Sequence, residues 1–435
     1  MKLFGLGGEG KQHLRPAISN TGWLMGSQVI RQGTALLIGI LMARSFGPAL
    51  FGKYTYASAF VALFAPLVVL GLDGIAIRDL ARDPSNRDTV LGTSFGLMLA
   101  SGVVVFCLAL GGWQLLRGAD PVMVQLVGIM SAALLFQSFN AIEFWLESRL
   151  AWKYSAIAKG TTVLLCCFVK IGLIFANASL VAFAWTGLAE AAAGAAGLVI
   201  AYGRLGLSLR KWRFTRGMAT RLLRDSWPMM FSAFATMIYL RIDQVMLGIM
   251  ATNTEVGLYA AAVRISEASG FIPMAICSSL LPVIAETGVV ENEEYLARQQ
   301  KLYNLMAFIS YGIAIPTTLL SGWLALTLFG PAYGKAGPLL ALLVWGSLFT
   351  NLGTARTVHM ISRNRTRANL FCLLAGGIVN VLLNYWLIPS LGALGAVVAS
   401  LVSYWFAVHG ACIFIPSMRG TGWMLTKAIF YPKVW

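Results

Sequence analysis

"WPMMFSAFATMIYLRIDQVMLGIM", residues 227–250, decides how the rest of the chain is read. It is long and apolar enough to cross a bilayer, which takes about 20 predominantly apolar residues in a helix. Yet it carries Arg241 and Asp243 well inside the run. In a soluble protein they would mark a wet helix face, and composition rules that out. The 435 residues are 58% hydrophobic and only 11% charged, with a mean hydropathy of +0.74; soluble domains carry about 25% charged residues. Similar apolar runs recur from end to end, so the chain reads as an all-α integral membrane protein.

Twelve spans are predicted, near 19–43, 54–77, 89–112, 122–147, 156–177, 179–203, 227–250, 257–285, 302–329, 337–362, 367–389 and 393–416. Pro66, Pro273, Pro282 and Pro316 interrupt some of them, which membrane helices tolerate when neighbours satisfy the freed backbone. Positive charge sets the orientation. With both termini cytoplasmic, the inner segments hold 23 Lys and Arg and the outer loops hold 4. That asymmetry accounts for the net charge of +16 with no nucleic-acid partner. Seven basic residues fall in the connection 204–226 (Arg204, Arg210, Lys211, Arg213, Arg216, Arg221 and Arg224), placed to anchor it at anionic lipid.

That basic connection separates six spans from six: a lobe at 1–203 with a short cytoplasmic tail, a linker at 204–226, a second lobe at 227–416 and a tail at 417–435. The pattern G-x-Y-x-x-A occurs as Gly52, Tyr54, Ala57 and again as Gly257, Tyr259, Ala262. Each copy enters the second span of its half. With an even number of spans per half, the lobes would be related by a pseudo-two-fold along the membrane normal, with substrate between them. Other motifs carry little. Gly5, Gly7 and Gly10 form a G-x-G-x-x-G with no strand before it, so no nucleotide site is expected. The six cysteines lie in apolar runs as packing residues, and the three histidines lack metal-ligand spacing. No cofactor and no metal are expected.

Charges in hydrocarbon each cost about 2.5–3.5 kcal/mol on insertion scales and normally face a bundle interior or a wet cavity. Arg31, Lys159, Lys170, Arg241, Arg264 and Arg356 lie within spans, with Asp73, Glu143, Glu190, Asp243 and Glu267. Arg31 shares a polar patch with Ser27, Gln28 and Gln32, and is a candidate cavity cation or interhelical tie. Lys159 is placed to snorkel; Lys170 is too deep. Arg264 and Glu267, three apart, can pair on one face. Arg356, His359 and Arg363 descend as a stripe. Arg241 and Asp243 are separated by about 200° around a helix and cannot serve one another. Ser232, Thr236, Tyr239 and Asp243 form a stripe, which favours Asp243 as the cavity-facing member and Arg241 as the one against a neighbour.

"LRIDQVMLG" through "VGLYAAAVRISE" (240–267) and "GPALFGKYTYASAFVALFAPLVVLGLDGIAIRDLARD" (47–83) resemble the Wzx-type polysaccharide flippases of the multidrug/oligosaccharidyl-lipid/polysaccharide exporter superfamily. The second stretch carries G-L-x-x-x-x-x-R-x-x-A as Gly71, Leu72, Arg78 and Ala81. The resemblance implies a MATE-like fold and movement of undecaprenyl-pyrophosphate-linked repeat units across a bacterial inner membrane, for O-antigen, capsule or exopolysaccharide. It also implies a polysaccharide polymerase and a chain-length regulator as partners, beside the membrane lipids.

The residues suit that chemistry. Arg31, Lys170, Arg241, Arg264 and Arg356 are candidates for the pyrophosphate, since guanidinium matches phosphate in a bidentate way. Asp73, Glu190, Asp243 and Glu267 are candidates for proton coupling. Gln28, Tyr239, Asn351, Asn380 and Asn384 are candidates for sugar contacts. No Walker sequence and no catalytic constellation occur, so a secondary transporter rather than an enzyme is expected. The alternatives are a multidrug antiporter, which would favour a carboxylate-dominated cavity, and a peptidoglycan-precursor flippase, which would carry further spans.

Overall fold

A backbone in hydrocarbon must satisfy its own N–H and C=O groups, and the helix does so within one segment. The computed structural model describes residues 11–117, 120–268, 270, 273, 293–362 and 366–433. Among these no strand occurs. The helices are α1 (Lys11–Val69), α2 (Leu72–Arg82), α3 (Arg87–Arg117), α4 (Pro121–Leu135), α5 (Ala141–Ser148), α6 (Trp152–Phe175), α7 (Leu180–Arg204) and α8 (Arg216–Met250). They continue as α9 (Asn253–Ala268), α10 (Glu293–Phe329), α11 (Ala336–Leu343), α12 (Gly346–Ser362), α13 (Thr366–Leu391), α14 (Ala393–Trp405), α15 (Ala411–Phe414) and α16 (Arg419–Phe430).

Ten helical stretches of the described residues are long and apolar enough to cross a membrane, and the first, Gly26–Arg82, takes in most of the first expected span and all of the second. Only the start of the eighth expected span is described, as α9. Apart from Gly270 and Pro273, its remainder, with Cys277 and Pro282, lies outside the described residues, as do Gly5, Gly7, Gly10 and Arg363.

Several boundaries differ from hydropathy. No loop separates the first two spans; α1 turns at Gly47, whose φ of 69° falls in the left-handed region that glycine alone enters freely. The second span stops at Val69 rather than near 77, because Leu70 and Gly71 adopt φ of 56° and 64°. The chain restarts there as the amphipathic α2, burying Leu72, Ile75, Ala76 and Leu80. A 3₁₀ turn at Phe136–Asn140 divides the fourth span, and a π turn at Phe406–Gly410 divides the twelfth. The tail expected after the twelfth span is helical: α16 buries Thr421, Gly422, Leu425 and Ala428.

The described residues fall into two compact units, one drawn from Met1–Ala35 and Ala65–Phe231, the other from Leu36–Phe64 and Ser232–Trp435. The first is built around Leu72, Leu80, Leu91, Ile142, Leu198 and Leu222. The basic connection packs within it. Arg213 N donates to Asp88 O (3.0 Å), and Trp212 Nε1 donates to Tyr202 Oη (3.2 Å). Arg78 of the G-L-x-x-x-x-x-R pattern bridges Asp79 (3.2 Å) and Asp225 (3.5 Å), while Arg221 also meets Asp79. Outside the spans, Asp83 accepts from Ser85 N (3.0 Å); the Ser85 hydroxyl is the main influence holding that carboxyl below its ordinary pKa.

The second unit is centred on Tyr303, Met306, Leu352, Val408 and Leu425. The repeated glycines explain why part of α1 joins it. A Cβ on Gly52 would lie 1.7 Å from Asn253 O, and one on Gly257 would lie 2.0 Å from Pro48 O. Each repeat glycine thus packs against the backbone four residues upstream of the other. Any side chain at either position would collide with main chain.

Candidate functional site

In the first unit, α1, the Phe136–Asn140 turn, α6 and α7 enclose a cavity of 360 Å³. Arg31, Gln137, Asn140, Lys159, Thr162 and Glu190 supply its polar lining. Lys159 donates to Glu143 (2.6 Å) and to Asn140 Oδ1 (3.0 Å), and Ser155 also donates to Glu143. Lys170 pairs with Glu190 at 2.6 Å. Arg31 bonds to Gln28, and among the described residues no carboxylate lies within 4 Å of it. Lys159 and Lys170 thus each have a carboxylate within 4 Å and Arg31 does not, while Glu147 lies within electrostatic reach of Glu143 and Lys159. The cation without an ion-pair partner among the described residues is Arg31, which is exposed at the cavity wall.

The second unit contains a polar centre of the opposite kind. Asp243 on α8 is 1% exposed. It accepts from Tyr259 Oη (3.0 Å), Asn384 Nδ2 (2.5 Å) and Ser400 Oγ (2.8 Å). Asn384 also donates to Asn380 Oδ1 (2.8 Å), and Asn380 donates to Ser403 Oγ (3.1 Å). No basic group lies within 4 Å of Asp243 among the described residues. One carboxylate is held by neutral donors alone, sealed among α8, α9, α13 and α14.

This answers the question posed by residues 227–250, and corrects one reading. Arg241 and Asp243 do serve different partners. Asp243, favoured as the cavity-facing residue, is the one buried in helix packing, while Arg241 meets Glu267 at 3.1 Å with both side chains partly exposed. The error came from stripe polarity: a polar stripe on a membrane helix serves a neighbouring helix as readily as a cavity.

Other candidates are redistributed in the same way. Arg356 is 1% exposed; its Nη1 donates to Ala407 O (2.8 Å) and Val408 O (2.9 Å), and its Nη2 to Asn369 Oδ1 (3.0 Å). It satisfies carbonyls at the π turn instead of lining a cavity. Asn380 and Asn384 belong to the Asp243 network, and Asn351 is tied to Ser310 (2.9 Å). Tyr239 packs on Tyr404, with ring centroids 4.8 Å apart. None of these four is exposed enough to meet a sugar in this conformation. Glu267 meets Arg241, whereas Arg264 lies over the Phe51 ring at 5.3 Å. Lys170 and Glu190, assigned separate roles from sequence, neutralise each other. Asp73 is exposed in the first turn of α2 and is not among the residues lining the cavity.

Gln137, Asn140, Lys159 and Thr162 line the cavity without having been singled out for it. The available signal was the polar pair Gln137 and Asn140 inside an otherwise apolar run, where the 3₁₀ turn forms.

Residues 17–288 match the family described as "Polysaccharide biosynthesis protein" (Polysacc_synt). A "Probable flippase AglR" of Haloferax volcanii is 24% identical over 390 residues, spanning 87% of this chain and 79% of that protein. Among solved structures, the lipid II flippase MurJ in an inward closed conformation aligns with a TM-score of 0.73 at 11% identity, over 94% of this chain and 91% of its own. An inward-facing multidrug resistance MATE transporter of the MOP superfamily aligns with a TM-score of 0.69 at 18% identity, over 91% of this chain and 96% of its own. The architecture is the all-helical, MATE-like fold of that superfamily. The chain belongs to the polysaccharide biosynthesis protein family, the group to which its glycine–tyrosine repeats and arginine motif pointed.

Proposed function

We propose that the protein is a non-enzymatic flippase that carries a lipid-linked oligosaccharide across the membrane by its pyrophosphate headgroup, with Arg31 as the primary anion contact. The observation that carries this reading is the position of Arg31 at a cavity wall. Arg31 has no neighbouring carboxylate among the described residues, while Lys159 and Lys170 each have one. A guanidinium in a low-dielectric setting is stabilised by an arriving phosphate, and charge-assisted bonds of this kind are the strong ones. The cavity, at 360 Å³, suits a headgroup, since small-ligand sites run from about 300 to 1,000 Å³. Gln137, Asn140 and Thr162 offer amides and a hydroxyl to the first sugar.

Movement proceeds by alternating access of two six-span lobes, with both termini cytoplasmic and the polyprenyl tail left in lipid. An inside-negative potential favours outward passage of an anion by about 2.3 kcal/mol per charge per 100 mV. Asp243 is the candidate for coupling to protons, as a carboxylate buried among four helices with no basic group within 4 Å among the described residues. The Asp243→Asn variant is then expected to flip with no dependence on a pH gradient. A native protein already indifferent to that gradient would remove the coupling role.

The test is a proteoliposome assay with a fluorescent polyprenyl-pyrophosphate oligosaccharide, following arrival of the headgroup in the opposite leaflet. Transfer by the native protein is expected. Extrusion of a cationic dye with no transfer of the glycolipid would instead make the protein a multidrug antiporter.

A further inference from the structure

A second cavity lies in the other unit, where α10 begins, α12 ends and α16 closes over both; its volume is 930 Å³. From α10 come Gln300 and Lys301, each about one helical turn from Asn304. From α16 come Trp423 and Lys427, again four apart, with Tyr431 and Lys433 following directly. Two helix faces, each carrying cations and hydrogen-bonding or aromatic groups, are turned to the same space.

The wall is built rather than incidental. Gln300 donates to Asn304 Oδ1 (2.8 Å) and to Met424 O (3.0 Å), and Asn304 donates to Lys433 O (2.7 Å). Tyr311 donates to Ile429 O (2.7 Å). These side chains reach carbonyls on and beyond α16 and fix the segment expected from sequence to be a mere tail. The three lysines are exposed, and among the described residues none has a carboxylate within 4 Å. Three unneutralised ammonium groups converge where amides and two aromatic rings also converge.

We propose that this cavity is a second anion site, taking a phosphate ester that bears a small hydroxylated group such as glycerol or a hexose. Lysine ammonium groups bind phosphate as point charges. Trp423 and Tyr431 offer the apolar body and polar tip suited to a glycerol or sugar face at a membrane boundary. The site is formed entirely within the second unit and stands whether or not the Arg31 cavity carries cargo.

The experiment is native mass spectrometry of the purified full-length protein, titrated with phosphatidylglycerol, with phosphatidylcholine and, separately, with glycerol 3-phosphate. The variant Lys301→Gln/Lys427→Gln/Lys433→Gln is compared with Arg210→Gln/Lys211→Gln/Arg216→Gln, which removes equal charge from the basic connection. The lysine variant is expected to lose about tenfold in phosphatidylglycerol retention, and the control less than about twofold. Retention of the lipid alone assigns the ligand to the membrane, while lysine-dependent retention of glycerol 3-phosphate assigns it to water; either supports the proposal. Equal loss in both variants, or no loss in the lysine variant, overturns it. If the triple variant fails to fold, Lys427→Gln alone is expected to lose about threefold, and unchanged binding there would refute the site. Arg31→Gln is expected to bind here normally, so failure of the flippase reading and failure of this one are read on separate variants.

Discussion

The two polar centres of this protein hold similar residue types and put them to opposite use. Around Arg31, Lys159 and Lys170 are each paired with a carboxylate, and Arg31, at the cavity wall, has none within 4 Å among the described residues. Around Asp243, one carboxylate meets three neutral donors and is sealed from every side. The first has charge to offer a visitor; the second has its hydrogen bonds already made. Charge in a membrane span is therefore a poor guide to function until its partners are counted. Arg356, which satisfies backbone carbonyls at a π turn, makes the same point.

The contrast predicts that stability and transport will separate. Asp243→Leu is expected to have the largest effect on stability, because Tyr259, Asn384 and Ser400 lose their acceptor. Tyr259 keeps its bond with Ser400, Ser400 its bond to Ala396 O and Asn384 its bond to Asn380. A buried cluster deprived of its shared acceptor nonetheless loses about 1–3 kcal/mol, and thermal unfolding in detergent should shift down. Lys170→Met comes next: it leaves Glu190 unpaired at the cavity, where breaking a fully buried pair costs about 3–5 kcal/mol and this half-buried one less. Removing both charges in Lys170→Met/Glu190→Leu should recover most of that loss, and a double-mutant cycle measures the coupling. Arg241→Gln breaks the more exposed pair with Glu267, so a change of only about 0.2–1 kcal/mol is expected. Arg31→Gln should fall within about 0.5 kcal/mol of the native protein, since it breaks no ion pair among the described residues. A melting curve for Arg31→Gln as depressed as that for Asp243→Leu would erase the distinction between the two centres.

Much of the fold could be read from the chain, because length and hydropathy report directly on membrane crossing. The repeated glycines were legible too: Gly52 packs against Asn253 O and Gly257 against Pro48 O, each four residues upstream of the other glycine. What hydropathy does not register is local backbone conformation. Leu70 and Gly71 end a span inside a stretch as apolar as its surroundings, and the turn at Phe136–Asn140, marked in sequence only by a few polar residues, brings Asn140 beside Lys159.

For the site, sequence identified the intramembrane charges but not their partners. Lys170 and Glu190 lie on different helices, twenty positions apart, and helical periodicity relates only residues on one helix. Arg31 could be singled out because its patch with Gln28 is local. Asp243 was misassigned because a polar stripe has the same spacing whether it faces solvent or three other helices.

The central claim is that Arg31 reads phosphate charge, and the most direct test crosses that residue with the headgroup. Proteoliposome flipping would be measured for polyprenyl-pyrophosphate and polyprenyl-monophosphate versions of one oligosaccharide, with the native protein, Arg31→Lys and Arg31→Gln. The native protein should prefer the pyrophosphate, Arg31→Lys should keep part of that preference, and Arg31→Gln should lose it while slowing pyrophosphate transfer by about tenfold or more. Equal slowing of both lipids, or an undiminished preference in Arg31→Gln, would contradict the account and leave Arg31 without a substrate role.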